Sequence, residues 1–160
     1  MRLRPANYNK TFIEEQIACF KTRNIQELRK IVPHWVFGNC AGKIHDRRLR
    51  AGNDRYIICL TNIDDLVSRA DFGEVNLALL FTGEPLNDGR VARILHRWER
   101  QEFVDPPTIY IKGDLDHGLA FSDGRHRTKV AYLLGCHQMP FAVEKSDIGR
   151  VAEIINLSTI

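Results

Sequence analysis

The chain has 160 residues, 27% of them charged and 44% hydrophobic, with a formal net charge of +3. That length suits one domain with a real core, and the composition excludes collagenous, low-complexity and disordered classes. Purely apolar runs reach only about five residues, so no membrane insertion is expected.

Met1-Arg2-Leu3-Arg4-Pro5 has no apolar run behind it, which argues against a secretory signal and for a cytoplasmic protein. The cysteines (Cys19, Cys40, Cys59, Cys136) show no close pairing and read as reduced, buried thiols. Residues 1–50 carry 11 Lys/Arg against 4 Asp/Glu, whereas residues 51–100 and 101–160 each carry 6 against 8. The positive charge is therefore an N-terminal property. Arg outnumbers Lys 16 to 7, and the guanidinium fork matches phosphate oxygens bidentately.

Ile13, Ile17 and Phe20 share one helical face. Asn24 is placed to cap a second short helix through Leu28 and Ile31, closed by Pro33. Residues 1–54 thus read as a basic, mainly helical N-terminal region. Trp35-Val36-Phe37 is a candidate strand, and residues 38–54 a glycine-punctuated loop made basic by Arg47, Arg48 and Arg50. Residues 56–60 read as a strand, followed by a short helix capped by Thr61 or Asn62. Residues 75–81 fit a buried strand or a helix equally well.

After the turn Thr82-Gly83-Glu84-Pro85, Asp88 is the expected N-cap of a helix over about 89–101. Its apolar stripe is Val91, Ile94, Leu95 and Trp98, and Arg90, Arg93, Arg97 and Arg100 form a second stripe. Asp105-Pro106-Pro107 closes the segment. Residues 108–112 and 119–122 read as a hairpin. A helix follows from about Arg125 to Leu134, stopped by Gly135, then a strand over 139–143 and a last helix capped by Ser146.

The turn Asp123-Gly124-Arg125-His126-Arg127-Thr128 joins a strand to a helix. A glycine there lets backbone N–H groups approach a ligand closely. The first helical turn has unpaired N–H donors at the positive end of the dipole, which suits a phosphate. Arg125, His126 and Arg127 add charged donors, and Asp123 is placed either to cap the helix or to help hold a cation that comes with a nucleotide. The plainer reading is a surface turn whose aspartate caps a helix.

The wider order is Pro106-Pro107-Thr108-Ile109-Tyr110-Ile111, then Leu119 to Arg127, then Leu133-Leu134-Gly135, then Met139-Pro140-Phe141-Ala142-Val143. Over residues 86–143 it resembles the ParB/sulfiredoxin superfamily. The resemblance implies an α+β fold: a single domain with a small mixed sheet flanked by helices and an N-terminal helical extension. It implies a phosphate or nucleotide site at Asp123, Gly124, Arg125, His126, Arg127 and Thr128, since this turn in the family binds the phosphates of ATP or CTP and some members are nucleases. Sulfiredoxins carry a reactive cysteine where this chain has Arg125, so their chemistry is not expected. Only 17 residues follow Val143, too few for the DNA-reading domain of partitioning proteins. The resemblance points to the plasmid oncogenic-suppression and fertility-inhibition group, associated with DNase and ATPase activity.

The expected function is phosphate-ester hydrolysis on DNA or a nucleotide. His126 would be general acid or base at its ordinary pKa of roughly 6.5, with Arg125 and Arg127 stabilising phosphoryl charge. Glu84 is a further candidate base, and Mg²⁺ would arrive with the nucleotide. Arg47, Arg48, Arg50, Arg90, Arg93 and Arg97 would track the DNA backbone without reading sequence. The alternative is a non-catalytic nucleotide-binding module that blocks a protein partner in a transfer apparatus. No zinc site is expected, because His34, Cys40 and His45 lack a matched second pair. Asp114, Asp116 and His117 read as turn residues, and His137 beside Cys136 as a loop pair.

Overall fold

The computed structural model describes residues 9–37, 44–46, 49, 55–113 and 118–159. The period-2 alternation of two strands sorts its core into two layers. In β1 (Tyr56–Asn62), Ile57 and Cys59 face the main core, while Tyr56 and Ile58 face a smaller cluster. In β5 (Gln138–Glu144), Met139, Phe141 and Val143 face the main core, and Ala142 joins Val36, Ile44 and Leu49 in the smaller one. One face of the sheet thus carries most of the core, and Val36, Ile44 and Leu49 lie on the other.

The fold is α+β, with a six-stranded mixed sheet in the order β2-β4-β3-β5-β1-β6. The remaining strands are β2 (Ala70–Asp71), β3 (Thr108–Ile111), β4 (Leu119–Asp123) and β6 (Leu157–Thr159). β1 runs antiparallel to β5 and β6, and β3 antiparallel to β4. β2 with β4, and β3 with β5, are the parallel pairs. Residues 108–143 therefore put β4, β3 and β5 side by side.

The helices are α1 (Lys10–Lys21), α2 (Ile25–Leu28), α3 (Ile63–Arg69), α4 (Pro85–Glu99), α5 (Arg125–Leu133) and α6 (Ile148–Ile154). Asn9, Asn24 and Asn62 cap α1, α2 and α3 through their side-chain oxygens. The α4 stripe of Val91, Ile94, Leu95 and Trp98 is buried. Each such side chain contributes roughly 1.5–3 kcal/mol. The Trp98 indole N–H donates to the His34 carbonyl at 3.1 Å, so the largest core residue has its polar atom satisfied. α1 packs on α4, and Phe20 is fully buried in the same core. Among the described residues no helix is long and apolar enough to cross a membrane.

Several expected elements differ. The N-cap of α4 is Glu84, which accepts from the N–H groups of Leu86 and Asn87, with Pro85 at the first helical position. Asp88 lies inside the first turn and folds back onto the N–H groups of Thr82 and Gly83. Residues 75–81 are neither strand nor helix; Asn76 holds the N–H groups of Ala78 and Leu79 in an Asx turn. Trp35-Val36-Phe37 makes only a bridge from Trp35 to Val104. Ser146 sits in a single 3₁₀ turn (Lys145–Asp147), and Asp147 precedes α6. The short strands β2 and β6 were not expected. Cys59 is buried but Cys19 is exposed on α1, and Cys40 lies outside the described residues.

Candidate anion site at the start of α5

The turn between β4 and α5 is shaped by backbone contacts. A bulge between Thr108 and Ile109 leaves Ser122 opposite no residue of β3, and its hydroxyl donates to the Thr108 carbonyl. Gly124 follows in the left-handed region at φ 96. A Cβ on it would stand 2.5 Å from Pro107 Cβ and 2.7 Å from Pro107 Cα. The glycine is therefore required by φ and by the proline packed on it, a reason other than close approach of a ligand.

Gly124 itself is the N-cap of α5, and no side chain caps that turn. Asp123, the expected cap, instead pairs with Arg127 at 2.8 Å. Arg127 also donates to the carbonyls of Asp105 and Pro106, at 2.6 and 3.4 Å. Its guanidinium ties α5 to the Asp105-Pro106-Pro107 segment and is spent there. Thr128 is fully buried, with its hydroxyl on the Gly124 carbonyl. Of the expected phosphate contacts, Arg125 and His126 stay half-buried on the uncapped first turn. Arg125 also donates to the Phe72 carbonyl at 3.3 Å.

α4 packs against α5, and charges from both helices act on His126. Burial first, then Arg90, Lys129 and Arg125, push the His126 pKa down to about 4, against a weaker pull from Glu84. At neutral pH the imidazole is therefore neutral. It can accept a proton but has none to give as an acid, which corrects the expected ordinary pKa. Three cations against one carboxylate make this turn electropositive.

Behind it lies a polar chain that sequence reasoning missed. Lys129 is fully buried and donates to Asn87 Oδ1 at 2.7 Å. Asn87 donates to Asp88 Oδ1 at 2.9 Å and to the Leu80 carbonyl at 3.0 Å. Asp88 pairs with Lys21 of α1 at 3.1 Å. Burial pushes the Asp88 carboxyl up, but bonds from Asn87 and Thr82 and the Lys21 ammonium outweigh it and hold the pKa below the ordinary value. The adjacent Asn87-Asp88 pair was a usable signal, since two short polar residues just after a proline mark a built helix start. Lys129 gave none, because it interrupts a buried run from Thr128 to Ala131.

The other expected residues are dispersed. Glu84 uses both carboxylate oxygens to cap α4, at 3.1 and 3.0 Å, which leaves it poorly placed as a base. Arg90 and Arg93 are exposed on α4. Arg97 instead donates to the Phe103 carbonyl, and it and Arg100 each stand 3.6 Å from buried Glu102. Arg47, Arg48 and Arg50 lie outside the described residues, as do Asp114, Asp116 and His117. The Asp105 carboxylate accepts from the N–H groups of His45 and Asp46, so the start of the basic loop is anchored to the segment that Arg127 holds. A separate groove of about 620 Å³, lined by Phe20, Leu28, Leu79, Phe81 and Leu133 among others, contains none of the turn residues.

Among the described residues, the acids near the turn do not fit a protein-held Mg²⁺. Asp123 is paired with Arg127, Glu84 caps a helix, and no group of three or more His, Cys, Asp or Glu suited to a metal occurs among the described residues. No protein-family model, curated protein or solved structure matches the chain.

Proposed function

We propose that the start of α5 binds a phosphate group of a nucleotide or of a DNA backbone, and that the protein is a phosphate-ester hydrolase of the DNase/ATPase kind. The observation that carries this reading is an uncapped helix start whose His126 is flanked by Arg90, Arg125 and Lys129. This reading takes up the ParB/sulfiredoxin resemblance, whose turn lies between β4 and α5, and places the protein in the cytoplasm, where nucleotides and DNA are at hand.

The chemistry follows from charge. A docked phosphate offsets the three cations around His126 and raises its pKa from about 4. Substrate binding thus turns a weak base into a better one, which takes a proton from the attacking water; the water oxygen bonds to phosphorus as the ester P–O bond breaks, and the imidazolium returns the proton to the leaving oxygen. Arg125 and Arg90 stabilise the charge that builds on the phosphoryl oxygens. Arg127 takes no part, because its donors hold Asp105, Pro106 and Asp123.

A second reading has its own observation. Glu84 and Arg127, both expected in the chemistry, are consumed by structure. A non-catalytic nucleotide-binding module that blocks a protein partner needs neither. Incubating the protein with supercoiled plasmid or ATP plus Mg²⁺, beside H126A and R125A, separates the two. Turnover lost in both variants supports the hydrolase. Binding without turnover supports the module, and activity equal in all three preparations contradicts the site.

A further inference from the structure

Lys129 is the least explained charge in the molecule. Its side chain is wholly removed from water, and among the described residues its one hydrogen-bond acceptor is the neutral amide oxygen of Asn87. Burying an ammonium ion costs several kcal/mol, and a well-packed apolar residue often does as well or better for stability. Burial holds the Lys129 pKa below its ordinary value; Asp88 and Glu84 pull it back up, but neither touches it, and Asp88 is already engaged by Lys21, Asn87, Thr82 and Gly83. The charge on Lys129 is therefore only partly neutralised. It lies one helical turn beyond His126, on the same side of α5, where Arg90 and Arg125 also act.

We propose that Lys129 is a positioning residue whose buried charge, held in place by Asn87, forms the rear wall of the anion site and sets its affinity. It reaches no ligand itself, and its effect passes through the field at His126 and at the first turn of α5. In a poorly screened interior one fixed charge acts over several ångströms at more than its strength in water. The chain from Lys129 through Asn87 and Asp88 to Lys21 also fixes the charge relative to α1, so the N-terminal helix supports the site from behind.

This inference rests on the reading of the turn as a phosphate site, and the test keeps the two apart. K129M removes the charge and the donor; K129Q removes the charge and keeps a donor for Asn87. Both are compared with the parent by far-UV circular dichroism, by NMR titration of the His126 imidazole without ligand, and by inorganic pyrophosphate binding. In both folded variants the His126 midpoint moves up, and pyrophosphate binds about tenfold more weakly. A His126 midpoint unmoved in K129Q overturns the inference, whether or not pyrophosphate binds. Parent protein that fails to bind pyrophosphate while the midpoint does move contradicts the phosphate reading and leaves the role of Lys129 in the field intact.

Discussion

Arg127 and Gly124 show how much of the turn is architecture. The Arg127 guanidinium spans Asp105, Pro106 and Asp123, and removing it leaves two part-buried carbonyls without this donor. Arg127→Ala is expected to lose about 2 kcal/mol of unfolding free energy, read by urea denaturation. Gly124→Ala meets Pro107 at 2.5 Å in a left-handed backbone and is expected to cost about 3 kcal/mol. His126 supplies a pH test. Its folded pKa, about 4, lies below its ordinary 6.5, so the unfolded chain takes up the proton first. Its contribution to stability is complete above about pH 6.5 and is lost as the pH falls toward about 4. Urea midpoints of the parent should drop across that window more than those of His126→Gln; parallel curves would refute the depressed pKa.

At the scale of elements, two helix ends follow the same rule with different residues. α5 ends with Gly135 at φ 85 and a Cys136 N–H to the Ala131 carbonyl at 3.1 Å. α4 ends with the same pair of turns, but the left-handed residue is Gln101 at φ 60, and the Glu102 N–H reaches the Arg97 carbonyl at 2.9 Å. Gln101→Gly should therefore raise stability by about 0.5–1 kcal/mol, seen as a higher melting temperature. No change there would mean that the Gln101 side chain compensates for its backbone. The elements legible in the sequence are those with a strong period, a short polar cap or a glycine or proline stop: α1, α2, α3, β1, β3, β4, α5, β5 and the apolar stripe of α4. Residues 75–81 misled because an apolar run implies burial, whereas here Asn76 turns the chain and Leu79 stays 56% exposed. Asp88 misled because its side chain does cap N–H groups, but those before the helix rather than within it. β2 has two residues and β6 three, too short for any period to show.

For the whole molecule, the candidate site was legible as a place and not as a mechanism. The Gly-x-His-Arg turn marked where charge would gather. Which arginine stays available depends on tertiary partners: Asp105 and Pro106 take Arg127, and Phe103 and Glu102 take Arg97. On α4, Arg97 and Arg100 stand beside Glu102, while Arg90 is an exposed position of the stripe. If DNA is bound through Arg90 and the α5 turn, the salt dependence is modest: a log–log slope of about −2, measured by fluorescence anisotropy. Arg90→Ala should then reduce the slope by about 1.

The most direct measurement is an NMR titration of ¹⁵N-labelled protein with pyrophosphate at neutral pH. The account predicts amide shifts concentrated at Arg125, His126 and Arg127, a His126 midpoint that rises on saturation, and binding at least about tenfold weaker in Arg125→Ala. Shifts gathered elsewhere, with the His126 midpoint unmoved, would contradict a phosphate site at the start of α5.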